Sequence, residues 1–145
     1  MAAYRSTGTG LFLTHFLTLL AEARGRARQP LEGLEHLSDA IRTIERTEDR
    51  EFEAELYRVR GELLLHLGDR TGAEESYGTA LAVARRQSAK LWELRAAMSM
   101  ARLWRDQGKR QQAHDLLAPV YGWFTEGFDT RDLKEAKALL EHLKA

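Results

Sequence analysis

A chain of 145 residues is long enough for one domain with a buried core and falls short of two domains of ordinary size. Its 22 basic and 22 acidic side chains cancel, so no whole-molecule field draws it to nucleic acid or to a membrane surface. It has no cysteine, which excludes disulfides, thiolate nucleophiles and thiolate metal sites and fits a reducing, cytoplasmic setting.

Only two prolines occur, and the abundance of Ala, Leu, Glu and Arg favours helix over strand nearly everywhere, so the expected class is all-α. The first helix, predicted near 11–27, opens on the apolar run from Leu11 to Ala21. Thr14, His15 and Thr18 interrupt that run and Glu22 closes it, so it cannot span a bilayer, and no signal-peptide pattern accompanies it. The second, near 30–46, starts on Pro30, whose missing N–H costs nothing in a first helical turn. The third, near 50–67, ends at Gly68, and Asp69 can cap the fourth, near 70–87. The fifth, near 90–107, ends at Gly108. The sixth, near 110–124, contains Pro119, which is expected to kink or shorten it. The seventh, near 130–144, is expected to start at a Thr130 cap. It carries Leu133, Ala136, Leu139, Leu140 and Leu143 on one face, which can shield the preceding pair from water.

Sliding the chain along itself by 40 residues aligns small side chains with small ones and large with large. Ala21, Gly61 and Ala101 share one column, as do Gly33, Ala73 and Ala113, and Ala40, Ala80 and Val120. Bulky columns follow: Phe12, Phe52 and Trp92; Leu37, Tyr77 and Leu117; Ile41, Leu81 and Tyr121. Antiparallel helices approach to about 8–10 Å only where the crossing residues are small, so the small columns mark crossings and the bulky ones fill the space between.

Tyr57, Gly61, Leu64, Gly68, Ala73, Tyr77 and Ala80 resemble the tetratricopeptide pattern of aromatic, glycine, hydrophobe, glycine, alanine, aromatic and alanine. Ala97, Ala101, Trp104, Gly108, Ala113 and Leu117 keep it in the next repeat, while Arg24 and Arg28 depart from it in the first. The period also exceeds the usual 34 residues and implies longer helices. The stretches Ala101–Gly108 and Leu117–Thr130 are similar to the C-terminal repeats of large bacterial predicted signalling ATPases, some of which carry adenylate cyclase or DNA-binding domains at the front. The resemblance implies one domain over 1–145, a right-handed α-solenoid of about three tetratricopeptide-like helix pairs. Residues 1–13 would be the tail of a preceding repeat, 14–53, 54–93 and 94–129 the repeats, and 130–145 a capping helix. Tyr4, Ile44, Ala84 and Phe124 share a column, which is why the first residues read as the end of a repeat whose beginning is absent. The edge so exposed would be apolar and a route to self-association.

Chemistry-bearing patterns are sparse. Thr7-Gly8-Thr9-Gly10 lacks the Lys-Ser/Thr and the preceding strand of a phosphate loop and reads as a loop between helices. Glu32 with His36 and Glu62 with His66 each place two metal ligands on one helix face, but no third ligand is evident, so neither metal nor cofactor is expected. No side chain stands in a nucleophile or raised-pKa context, so catalysis is not expected either. Residues 41–80 carry six Lys/Arg against ten Asp/Glu and residues 81–112 eight against two. The basic run from Arg85 to Arg110 has Trp92 and Trp104 nearby, but both fall in buried columns, and an acidic peptide suits it better than a nucleic acid.

In tetratricopeptide folds the first helix of each pair lines a concave surface. The ligand-facing positions carry over to His15, Thr18 and Glu22, then Glu55, Arg58, Glu62 and His66, then Arg95, Met98, Arg102 and Arg105. Steps of three and four residues keep each set on one helix face. The expected function is docking of a protein or peptide, with Arg58, Arg95, Arg102 and Arg105 steering acidic groups. The alternatives are an effector-sensing regulatory domain and an oligomerisation module.

Overall fold

Left-handed backbone recurs down the chain at the repeat spacing. Arg28, Gly68 and Gly108 have φ of 62°, 82° and 80°, and Glu48 and Ser88 have φ of 61° and 54°. Each of the first three ends a helix in the same way, with the following N–H donating back five residues: Gln29 to Arg24 O at 2.8 Å, Asp69 to Leu64 O at 2.9 Å and Lys109 to Trp104 O at 2.8 Å. Glycine takes that conformation without strain, and the first repeat takes it with an arginine.

The structure, a computed structural model, describes residues 9–144. These form seven helices and no strand: α1 Thr9–Arg26, α2 Pro30–Thr47, α3 Glu53–His66, α4 Arg70–Arg86, α5 Lys90–Asp106, α6 Arg110–Gly122 and α7 Arg131–Lys144. Pro30 starts α2, and the Asp69 carboxylate accepts from the Gly72 N–H at 2.8 Å to cap α4. Of three expectations about helix ends, one is corrected. Helix α6 runs through the exposed Pro119 and, at 13 residues, stops at Gly122, short of the expected 124, in keeping with a proline inside it. Thr130 immediately precedes α7, its carbonyl accepting from the Lys134 N–H at 3.0 Å and its hydroxyl donating back to Gly127 O at 2.6 Å. Thr9 and Gly10 belong to α1, not to a loop; Tyr4, Thr7 and Gly8 lie outside the described residues.

Neighbours in sequence pack as pairs, α1 on α2, α3 on α4 and α5 on α6, and α1, α3, α5 and α7 also touch in succession as one row. The small columns lie at the crossings. Ala21, Ala40, Ala73, Ala80, Ala101 and Ala113 are fully buried. A Cβ on Gly61 would lie 2.4 Å from Cε1 of the buried Tyr77 ring, and one on Gly33 would lie 2.9 Å from both Ala21 O and Leu63 Cδ1. Two larger apolar clusters result, one spanning α1 to α3 around Leu37, Leu56 and Leu63, the other spanning α3 to α7 around Tyr77, Leu94 and Leu117, and a small third joins Ala54 to Val83 and Ala84 under Trp92.

Not every bulky column fills in. Phe52 and Trp92 are half-buried with ring centroids 5.8 Å apart, but Phe12 is 71% exposed because no described helix lies on that side of α1. Trp104 is likewise half-buried, not core, and its Nε1 donates to Glu74 at 2.5 Å. No helix of the described residues is long and apolar enough to cross a membrane.

Candidate docking groove

Along the row of α1, α3, α5 and α7 the polar residues of each helix meet those of the next. Arg58 of α3 donates to Glu55, one turn earlier, through Nε at 2.9 Å and Nη2 at 2.7 Å, and Nη2 also reaches Glu22 of α1 at 2.9 Å. Arg95 of α5 donates to the same Glu55 from Nε at 3.1 Å and Nη2 at 2.8 Å and turns Nη1 to Asp132 of α7 at 3.2 Å. Glu22, Arg58, Glu55, Arg95 and Asp132 thus make a continuous ladder of opposite charges across four helices. A parallel rung runs beside it: Ser99 Oγ donates to Glu62 at 2.8 Å, and Arg102 pairs with Glu135 at 3.5 Å.

Glu55 and Arg58 are each only 7% exposed. Removing an ion from water costs several kcal/mol, so such groups persist only fully paired. Burial alone would lower the Arg58 guanidinium's pKa, but hydrogen bonds and charge from Glu55 and Glu22 outweigh it and hold the group above its ordinary value. Burial raises Glu22, and the bond and charge of Arg58 more than reverse this, leaving its carboxyl below its ordinary 4.5. Arg131 holds Glu135 below that value too, through a hydrogen bond of 2.9 Å. Under the groove, burial and then the adjacent Glu62 carboxylate push the Tyr77 phenol far up.

The row encloses an open groove of about 260 Å³ whose floor is Arg58, Val59, Met98 and Ser99 and whose rim carries Arg26, His66, Arg102 and Arg131. A smaller hollow of about 150 Å³ adjoins it between His15, Leu19 and Trp92, with Glu22, Val59 and Arg95 shared by both. His15 stacks on Phe52 at 4.1 Å, so His15, Phe52 and Trp92 continue the polar ladder as an aromatic one.

Ten of the eleven residues expected in the groove line one or other hollow: His15, Thr18, Glu22, Glu55, Arg58, Glu62, His66, Arg95, Met98 and Arg102. Arg105 lines neither and pairs with Asp106 at 3.1 Å. Thr18 and Met98 are each 2% exposed and act as wall, the Thr18 hydroxyl donating to Thr14 O at 2.8 Å. Arg58 and Arg95, expected to steer a ligand, have their donors engaged within the ladder. Arg131, Asp132 and Glu135 of α7 line the groove as well, although the apolar face of that helix points only to a covering role. A signal existed: Glu135 lies one repeat past Arg95 and two past Glu55. Glu62 is engaged by Ser99 and Arg58, Glu32 is exposed, and no three His, Asp or Glu side chains of the described residues converge to hold a metal.

Comparison with protein-family models, with curated proteins and with solved structures finds no match to this chain.

Proposed function

We propose that the chain is a right-handed solenoid of tetratricopeptide type that docks a peptide segment of another protein in the groove along α1, α3, α5 and α7, working in the cytoplasm as the recognition part of a signalling assembly. The observation that carries the reading is the division of labour among the groove's charges. The floor arginine, Arg58, is buried with its donors taken, whereas the rim places Arg26, His66, Arg102 and Arg131 in water around one hollow, with exposure of 71%, 41% and 85% for the three arginine side chains, whose own pairs with Glu22 and Glu135 are solvated and weak. Buried pairs hold the four helices in register, and exposed arginines at the rim select acidic groups. The hollow between His15, Leu19, Val59 and Trp92 then takes an apolar anchor of the ligand. An open groove of about 260 Å³ suits an extended chain crossing it better than an enclosed small molecule, for which pockets run to about 300–1,000 Å³ and bury most of the ligand.

Selection from a random peptide library followed by hydrogen-exchange mapping tests this. Selected peptides should combine an apolar residue with acidic ones and protect α1, α3 and α5. Arg102→Glu with Arg131→Glu should weaken them by about tenfold or more, equivalent to about 1.4 kcal/mol. Protection confined to α2, α4 and α6, or affinity untouched by the two reversals, sinks the reading.

A further inference from the structure

Helix α1 differs from every other helix in carrying no Asp, Glu, Lys or Arg from Thr9 to Ala21. Its inward residues Thr14, Thr18 and Ala21 are buried, yet the opposite side is apolar as well: Phe12 is 71% exposed, Phe16 and Leu19 51% each, and Leu13 36%. At 100° per residue these four, with Leu20 and Ala23, fall in one stripe roughly 120° wide. A helix apolar all round is a helix meant to be buried on all sides. At about 200 Å² for a whole aromatic or leucyl side chain, the four leave on the order of 400 Å² of hydrocarbon in water, the size of the largest apolar patch on an ordinary monomer, which is often a functional one.

We propose that the occupant of this stripe is the same stripe of a second copy, in an antiparallel α1–α1 contact about a two-fold axis near Phe16. The two ends of the row exclude head-to-tail stacking. The free face of α7 exposes Lys134, Lys137, Glu141 and Lys144, and laying it on Phe12 and Phe16 would strip water from charges without partners. The α1 stripe on itself sets no like charges together. The crossing places Phe12 of each copy by Leu20 of the other and Leu13 by Leu19, pairing rings with aliphatic chains. Such an isologous contact closes on itself as a dimer. Its area of about 400 Å² per copy, below the ~800 Å² of a standard interface, makes it a weak one.

Sedimentation equilibrium on the full chain, from about 1 µM to about 1 mM, reads this directly. The average mass should climb from 16.5 kDa toward twice that value and no further. Phe12→Lys, at the most exposed of the four positions, and Phe16→Glu should both hold it at 16.5 kDa with unchanged helix content by circular dichroism. Because the chain has no cysteine, a single Phe16→Cys should oxidise to a covalent dimer, while Lys137→Cys on the free face of α7 should not. A constant 16.5 kDa across the range overturns the proposal. So does a dimer that persists in folded Phe12→Lys, a mass that keeps rising past two copies, or cross-linking through Lys137→Cys in place of Phe16→Cys.

Discussion

At Gly61 the whole register comes down to one missing methyl group. The Tyr77 ring, 1% exposed, lies across the α3 backbone so closely that a Cβ would stand 2.4 Å from Cε1 and 2.6 Å from Cδ1. An aromatic ring held on every side cannot swing away as a flexible chain end does. Gly61→Ala gains about 1 kcal/mol of helix propensity and meets overpacking of about 1–3 kcal/mol, more if α4 is levered off α3. The net outcome expected in urea denaturation is a loss of stability, with the midpoint lowered and the slope unchanged. A midpoint at or above the parent's would mean that Tyr77 can yield. Gly68 presents the opposite case: nothing lies within 4 Å of its Cβ position, and it is held by its φ of 82° alone.

At the scale of helices, burial of small and apolar side chains brings α1, α3, α5 and α7 together, and the charge ladder determines how far each can slide along the next. Glu55 stands between Arg58 and Arg95, so sliding α5 by one turn would leave a buried carboxylate with one partner fewer. The ladder also makes stability depend on acid. The folded-state pKa of Glu22 lies below the 4.5 of its unfolded counterpart, so the unfolded chain binds the proton more readily. The contribution is therefore complete above about pH 4.5 and is lost as pH falls through the folded-state value. Melting temperatures followed from pH 7 down to about pH 3 should drop most steeply below that point. Glu22→Gln should melt lower at pH 7 and lose less on acidification; a parallel curve would show that Glu22 contributes nothing through its charge.

Across the whole molecule, each helix touches chiefly its neighbours in sequence and in the row, so stability is nearly a sum of local terms. Helix α3 belongs to both larger apolar clusters through Tyr57, whereas α1 and α2 belong to the smaller of the two and leave the α1 stripe in water. Native-state hydrogen exchange should accordingly be slowest in α3, α4 and α5 and faster by at least about tenfold in α1 and α2, a gap of about 1.4 kcal/mol. Uniform protection from α1 to α7 would contradict a modular stack and indicate one all-or-none core.

The amino-acid sequence by itself determined the helical class, the number of helices to a few residues at each end, and the columns of small residues that mark crossings, because these follow from spacing along one chain. Ala21, Gly61 and Ala101 are buried as their common column requires. Groove positions were legible for the same reason, since residues three or four apart must share a helix face. What only the tertiary structure decided is what each of those side chains does once neighbours are present. Periodicity cannot tell a free Arg58 from one whose hydrogen bonds are taken by Glu55 and Glu22, or a filled aromatic column from one that leaves Phe12 in water. A pairing between residues 36 or 40 apart, such as Glu22 with Arg58 or Glu55 with Arg95, depends on the relative height and rotation of two helices. Those quantities are set by packing, to which every layer contributes at once.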